Sequence, residues 1–223
     1  TFKAKKGEMV AFIGSTGSGK STLVNLIPRF YDVTSGSIKI NNQDIRDYDL
    51  LKLRDMLGVI PQKAILFSGS IAENIRFGKK DATMEEIEHA AKIAQAYSFI
   101  MEKEHGFDEE ISEGATNVSG GQKQRLSIAR ALVRKAPIYI FDDSFSALDF
   151  KTDATLRHEL KKELKDSIML VIAQRISSIM EADQIIVLNE GKVVGHGKHH
   201  QLLKECSIYR EIAIDRKSTR LNS

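Results

Sequence analysis

The stretch that decides the fold is MVAFIGSTGSGKSTLVNL, residues 9–26. The apolar run before the first glycine predicts a buried strand, and the apolar pattern after Gly19 predicts a helix that continues to Phe30. Between them, residues 14–21 read GSTGSGKS and match G-x-x-x-x-G-K-[ST]. Glycines let successive backbone N–H groups turn toward phosphate oxygens, and the start of a helix adds the positive end of its dipole. The strand, turn and helix together predict a phosphate-binding loop.

The side chains of this loop have distinct expected roles. Lys20 would supply a positive charge to the terminal phosphates of a nucleotide, and the hydroxyl of Ser21 would bind Mg²⁺. A glycine-rich turn with an accidental lysine is the alternative, and the flanking strand and helix argue against it. We expect nucleotide contacts along the whole loop, from Gly14, Ser15, Thr16, Gly17, Ser18, Gly19, Lys20, Ser21 and Thr22.

A second apolar strand, IYIFDD at residues 138–143, ends in two aspartates. Where a phosphate-binding loop is present, a carboxylate at the end of such a strand contacts the magnesium shell, so Asp142 is the expected metal ligand; a helix N-cap is the alternative. Asp143 stands where a glutamate general base would be expected. Aspartate is shorter than glutamate by about 1.5 Å, and a misplacement of about 1 Å can cost on the order of 10²-fold in rate. We therefore expect Asp143 to be a poor base or a structural acid.

Strand and helix patterns alternate along the chain, which predicts an α/β fold with a mostly parallel sheet and a small antiparallel β portion. We expect a P-loop core formed by residues 1–80 and 136–216, with an inserted helical subdomain over residues 81–135. That subdomain opens with a helical pattern over residues 82–103. One face of this pattern carries Met84, Ile87, Ala90, Ala91 and Ala94.

The composition argues against several classes of protein. The formal net charge is +3 and the basic residues are spread along the chain, so we expect no nucleic-acid partner. The longest purely apolar run, residues 168–173, is far shorter than the roughly 20 residues that span a bilayer. The single cysteine, Cys206, excludes an internal disulfide and fits a reducing compartment. Residues 217–223 lack apolar periodicity, and we interpret them as a disordered tail or a scar of sequence assembly.

A third string, VSGGQKQRLSIARAL at residues 118–132, begins a helix with serine, two glycines and glutamine. Such a start is a second anion-binding helix N-terminus. With the phosphate-binding loop and the acidic strand in this order, the chain resembles the ATP-binding cassette of ABC transporters from Thr1 to about Arg216. GSTGSGKS resembles the family's Walker A motif and IYIFDD its Walker B motif, while VSGGQ resembles the LSGGQ signature with Val118 in place of leucine.

Shorter strings extend the resemblance. IPQ, ending at Gln62, looks like the Q-loop, which in the family touches magnesium and the attacking water. SALD, ending at Asp149, resembles the D-loop, and the resemblance implies that Asp149 belongs to the nucleotide-binding residues. GSIAENI at residues 69–75 and ISEGA at residues 111–115 are similar to exporter-type cassettes.

The resemblance implies that two cassettes pack head to tail and that each ATP lies between the Walker motifs of one cassette and the signature of the other. The signature residues, Ser119, Gly120, Gly121 and Gln122, would then serve a partner's site. Transmembrane domains would precede Thr1 in the full-length chain and place the cassette at the cytoplasmic face of the cell membrane. The aromatic residue that stacks on adenine would also lie upstream, so Phe2 and Tyr31 are expected to be core or surface residues.

Two residues depart from the family pattern. Asp143 replaces the glutamate after Walker B, and Gln174, in IAQR, replaces the switch histidine. A glutamine does not titrate near neutral pH. The pair resembles the degenerate half of heterodimeric bacterial multidrug exporters, whose own site hydrolyses ATP slowly. A non-hydrolysing regulatory module, a soluble ABC-type ATPase of translation or DNA repair and a homodimeric exporter are the alternatives.

Overall fold

The computed structural model describes the backbone of residues 1–221 and the side chains of residues 1–214. The strands in this part of the chain are β1 Met9–Gly14, β2 Lys39–Ile40, β3 Gln43–Asp44, β4 Leu57–Ile60, β5 Gly69–Ser70, β6 Glu110–Ile111, β7 Ile138–Asp142, β8 Ile168–Ile172, β9 Gln184–Asn189 and β10 Lys192–Gly197. The α-helices are α1 Lys20–Asn25, α2 Leu50–Asp55, α3 Ile71–Arg76, α4 Met84–Ile93, α5 Tyr97–Met101, α6 Gly120–Leu132, α7 Phe150–Glu163, α8 His199–Glu205 and α9 Ser207–Leu221.

A six-stranded sheet carries the core, in the order β10-β9-β1-β8-β7-β4. All of its pairs are parallel except that of β10 with β9. Two short antiparallel pairs, β2 with β3 and β5 with β6, lie outside it. The α/β fold with a mostly parallel sheet and small antiparallel portions is therefore confirmed. Because β1, β7 and β8 are parallel neighbours, the loops that follow them start at one edge of the sheet, where α/β proteins bind ligands.

Both faces of this sheet are buried. Ala11 and Ile13 of β1 belong to an apolar cluster that includes residues of α6 and α7, whereas Val10 and Phe12 belong to a second cluster that includes residues of α1 and α2. This division follows from the strand period of two, which sends successive side chains to opposite faces. A fully buried Val, Ile or Phe side chain contributes roughly 1.5–3 kcal/mol relative to exposure. The two clusters hold the phosphate-binding edge of the sheet between helical layers.

The helical layer contains α3, α4, α5 and α6. α3 packs against both α4 and α6, and β5 pairs with β6. These contacts place α3 and β5 in the helical layer. Both elements precede residue 81, where the sequence analysis expected the helical subdomain to begin. Capping boxes begin α3, α4 and α6, with Ser70, Thr83 and Ser119 as the N-cap residues.

Two helical expectations were too long. The helix expected to reach Phe30 ends at Asn25, because Pro28 lacks an N–H donor and disfavours helical backbone at the residue before it. The pattern over residues 82–103 forms two helices, α4 and α5, separated at Gln95, which has φ 57°. Met84 is 39% exposed, unlike the other residues expected on its face, because it is the first residue of α4.

The end of the chain is helical as far as its backbone is described. α9 extends over Ser207–Leu221, so the backbone is helical over part of the segment that the sequence analysis interpreted as a disordered tail. The residues of that segment include no glycine or proline that would stop a helix. Residues 222–223 lie outside the described residues. In the described part of the chain, no helix combines the length and apolar character needed to cross a membrane.

Candidate active site

The loop after β1 is fixed to the sheet at its first glycine. A Cβ atom added to Gly14 would lie 2.1 Å from the carbonyl oxygen of Leu188 in β9, so no side chain fits there. Gly17 and Gly19 have φ values of 79° and 93°, which residues with a side chain adopt only with strain. Ser15 and the residues up to Gly17 are exposed. The loop therefore presents its backbone to solvent at the edge of the sheet.

Lys20 lies at the centre of this loop and is only 9% exposed. Its Nζ donates hydrogen bonds to the carbonyl oxygens of Gly14 (2.9 Å) and Ser15 (2.7 Å) and to Ser18 Oγ (3.2 Å). These bonds hold the positive charge inside the curve of the loop. A nucleotide phosphate that entered the loop would meet a positioned ammonium group.

Ser21 and Asp142 come together across the sheet edge, with Ser21 Oγ donating to Asp142 Oδ1 at 3.0 Å. Burial raises the pKa of Asp142, and the bond from Ser21 and the charge of Lys20 oppose that rise. Asp142 is the last residue of β7, so it is not a helix N-cap. A hydroxyl oxygen and a carboxylate oxygen are ligands that suit Mg²⁺, and these two residues therefore fit the expected metal.

Asp143 is the centre of a second hydrogen-bonded group. Its Oδ2 accepts from Gln62 Nε2 at 3.2 Å and from Gln174 Nε2 at 2.6 Å. Asp143 is 6% exposed and has φ 47°, and its N–H donates to the carbonyl of Ile172 in β8. Burial is the largest cause that raises the pKa of Asp143. The structure thus brings the three candidate catalytic residues together, although they are far apart in the sequence.

Ser144 is a site residue that the sequence analysis missed. It is fully buried, and its Oγ donates to the carbonyl oxygen of Ile60 at 3.0 Å. This bond joins the end of β7 to the end of β4, just before the loop that carries Gln62. A small hydroxyl residue immediately after the two aspartates is the signal that could have identified it.

The signature residues are bonded locally rather than to the group around Asp143. Ser119 N–H donates to Gln122 Oε1 at 2.9 Å, and Gln122 N–H donates to Ser119 Oγ at 3.2 Å. A Cβ atom on Gly120 would meet no atom within 4 Å, whereas one on Gly121 would lie 3.3 Å from the carbonyl oxygen of Ala147. The signature therefore starts α6 with an open glycine and adjoins the SALD turn.

Asp149 has a structural role in this chain. It is the N-cap of α7, and its Oδ1 accepts from the N–H of Thr152 at 3.0 Å. This hydrogen bonding lowers the pKa of Asp149. The two aromatic residues near the start of the chain are core and surface residues, as expected. The ring of Phe2 packs edge-on against Phe12 with centroids 5.5 Å apart, and Tyr31 is 66% exposed.

Residues 1–146 match the family model described as ABC transporter. The chain belongs to the ABC transporter family. It is an ATP-binding domain of this family and an ATPase of the ABC-transporter type. The resemblance to an ABC ATP-binding domain that the sequence indicated is therefore confirmed.

Relatives in several bacteria are similar over nearly all of this ABC domain. A Mycobacterium tuberculosis protein described as an uncharacterized ABC transporter ATP-binding protein is 45% identical over 213 residues, which is 94% of this chain and 36% of the relative. A Bacillus subtilis protein, provisionally named a multidrug export ATP-binding/permease protein, is 45% identical over 212 residues, or 95% of this chain and 37% of the relative. A similarly named Staphylococcus aureus protein is 46% identical over 208 residues, or 93% and 36% of the two chains.

A solved structure shows the same fold. The structure of a bacterial Atm1-family ABC exporter with ATP bound has a TM-score of 0.93 and 38% sequence identity to this ABC domain, and the match covers 96% of this chain and 38% of that one. The chain thus spans less than two fifths of the length of the proteins that it matches.

Proposed function

We propose that this ABC domain binds Mg·ATP in a head-to-tail pair of cassettes and that its own site hydrolyses ATP slowly. In this proposal the domain is the cytoplasmic part of a membrane exporter, as the names of its relatives suggest. Its signature residues, 119–122, complete the site of a second cassette that carries the usual catalytic residues. The working enzyme is then a heterodimer, and closure of the pair around ATP moves the membrane domains.

The observation that carries the proposal is the position of Asp143 beside the bond between Ser21 and Asp142. Lys20 binds the terminal phosphates, while Ser21, Asp142 and Gln62 would hold Mg²⁺. When bound, the metal ion neutralises negative charge that develops on the phosphates. Asp143 faces this region, but its Oδ2 already accepts bonds from two amide groups. These two bonds hold the short carboxylate of Asp143 in place, so it cannot swing forward to reach an attacking water as a longer acid could.

A groove on the surface supports a membrane partner. Its volume is about 300 Å³, and its lining combines apolar and basic side chains, among them Phe30, Ile65, Phe77, Arg54, Arg130 and Arg134. Phe30, Ile65 and Phe77 are each more than half exposed, which is unusual for such side chains without a partner. The chain covers only 36–38% of its relatives and structural neighbour. We propose that an amphipathic helix from the remaining, membrane-spanning part of the full-length protein occupies this groove through apolar and acidic side chains.

The test compares two variants of the full-length protein with its partner in lipid nanodiscs. Asp143→Asn removes the carboxylate of the chain's own site, and Ser119→Arg blocks the signature that serves the partner. We expect Asp143→Asn to keep turnover within about twofold of wild type and Ser119→Arg to lower it on the order of 10²-fold or more. Loss of turnover in Asp143→Asn would show that the chain's own site carries out most of the ATP hydrolysis. Absence of turnover in the wild-type pair would favour a module that binds ATP without hydrolysis.

A further inference from the structure

The side of α6 that faces β4 carries polar side chains that the candidate active site does not use. Gln124 is 2% exposed and Ser127 is 5% exposed. Gln124 Nε2 donates to the carbonyl oxygen of Pro61 at 3.2 Å. Because Pro61 directly precedes Gln62, this bond joins the signature helix to the loop that contacts Asp143.

Arg130 makes a larger connection near the other end of α6. Its Nη1 donates to the carbonyl oxygen of Ile65 at 2.7 Å, its Nε to the carbonyl oxygen of Asn74 at 2.8 Å, and its Nη2 to Asn74 Oδ1 at 2.8 Å. Ile65 and Asn74 belong to residues 62–78, which we call the wall segment because Ile65, Phe77 and Gly78 line the groove. One guanidinium group thus spans the wall segment with three hydrogen bonds.

Asn74 extends this connection through the wall segment. It is 3% exposed, its Nδ2 donates to the carbonyl oxygens of Phe67 and Ser70, and its Oδ1 also accepts from Phe67 N–H. The guanidinium of Arg130 lies 5.1 Å from the ring centroid of Phe67 and 5.8 Å from that of Phe77. These rings are 45% and 65% exposed. Phe77 and Arg130 both line the groove, so a partner there would touch a ring that rests on Arg130.

The backbones of the wall segment and α6 also touch. A Cβ atom added to Gly78 would lie 1.9 Å from the carbonyl oxygen of Arg130, so neither backbone can approach further. Displacement of the wall segment toward α6 must therefore move α6. α6 has 13 residues, which corresponds to a stiff rod of about 20 Å.

We propose that Arg130 is a positioning residue that transmits occupancy of the groove to the signature residues, 119–122, at the start of α6. This inference rests on the proposed function, since it requires a membrane partner in the groove and a second cassette at the signature. The guanidinium of Arg130 donates its hydrogen bonds to Ile65 and Asn74 of the wall segment, whereas the chain's own phosphate loop follows β1. Through α6, Arg130 therefore connects the groove to the signature residues that serve the partner's ATP site, while Gln124 separately fixes α6 to the loop of Gln62 in the chain's own site.

The test measures turnover and nucleotide binding separately. Turnover is measured with the full-length protein and its partner in lipid nanodiscs, and the affinity of the chain's own site is measured with a fluorescent ATP analogue (MANT-ATP) on the full-length protein without its partner. We expect Arg130→Met to lower turnover about tenfold, in the range of energetic coupling between sites, while the affinity for MANT-ATP stays within about twofold. Hydrogen exchange of the amides of residues 119–123 should become faster in this variant.

Two further variants complete the design. Arg130→Lys should lose less turnover than Arg130→Met, because an ammonium group keeps the charge but cannot form the three-bond fork. Arg76→Met is the matched control: it removes a positive charge from the wall segment, but Arg76 Nε bonds to the carbonyl oxygen of Ala82 rather than to α6. Its turnover should equal that of wild type. If Arg130→Met fails to fold, the comparison of Arg130→Lys with Arg76→Met decides the question.

The inference is overturned if Arg130→Met keeps wild-type turnover. It is equally overturned if turnover, MANT-ATP affinity and Tm fall together, since that pattern indicates a merely structural arginine. A wild-type pair without any turnover would instead refute the proposed function, and this inference with it. If the wild-type pair hydrolyses ATP and Arg130→Met hydrolyses it equally fast, only this inference is refuted and the proposed function stands.

Discussion

Restoring the residues that depart from the family pattern should raise the turnover of this chain's own site. The perturbation is Asp143→Glu combined with Gln174→His, made in the full-length protein with Ser119→Arg also present in the chain. In the proposed head-to-tail pair, Ser119→Arg disables the partner's site, so the turnover that remains reports on the chain's own ATP site. The physical question is whether carboxylate reach limits the reaction.

The contacts of Asp143 set the expected magnitude. One additional methylene moves the carboxylate by about 1.5 Å, and correct placement of a general base within about 1 Å is worth on the order of 10²-fold, or about 2.7 kcal/mol. Gln174 Nε2 donates to Asp143 Oδ2 at 2.6 Å, so a longer acid must shift relative to Gln174 unless that residue is also replaced. We therefore expect less than tenfold from Asp143→Glu alone and roughly 10²-fold from the double variant, which is a non-additive result.

The substitution should also have a measurable cost in stability. Asp143 has φ 47°, a region in which aspartate is enriched and glutamate is not. A penalty of about 1 kcal/mol corresponds to a fall in Tm of about 2–4 °C for a chain of this size. Phosphate release measures turnover and thermal unfolding measures Tm, with Asp143→Gln as the control of equal length and no charge. If the turnover of the double variant is no higher than that of Asp143→Gln, the length of the acidic side chain at position 143 does not limit catalysis, and the reasoning is refuted.

Three other outcomes are expected. Gly14→Ala should abolish MANT-ATP binding and lower stability by about 1–3 kcal/mol, because the added methyl group would overlap a carbonyl of β9. The control Gly120→Ala, whose methyl group meets open space, should leave Tm unchanged. Equal Tm values for the two variants would contradict this prediction. Glu190→Asn should raise Tm by about 2–4 °C, since Glu190 has φ 48° in the two-residue turn between β9 and β10, where type I′ geometry favours Asn-Gly; an unchanged Tm would count against it. Burial raises the pKa of Asp142 and Asp143 from 3.8, so their contribution to stability is present below pH 3.8 and is lost as the pH rises through the pKa values of the folded state. Asp142→Asn should therefore raise Tm at pH 7 but not at pH 3. A lower Tm at pH 7 would show that the assigned sign is wrong.

Local features of the fold were predictable because their signals are local. The glycines of the phosphate loop lie within a few residues of one another. The apolar strand that ends in Asp142 can be predicted from its own residues. The end of α1 was harder to place. Pro28 stops the helix, but the residues before it retain helical periodicity, so pattern alone extended it.

The amino-acid sequence by itself determined the phosphate-binding loop, the acidic strand and the α/β class, because backbone freedom, strand period and helix starts depend on neighbouring residues. Only the tertiary structure decided that Gln62 and Gln174, which are 81 and 31 residues from Asp143, both bond to its carboxylate. The same is true of Arg130, which bonds to a carbonyl 65 residues away. Such contacts depend on the order of parallel strands and the packing of α6 on the wall segment, and sequence spacing does not record the distance between loops that meet at one sheet edge.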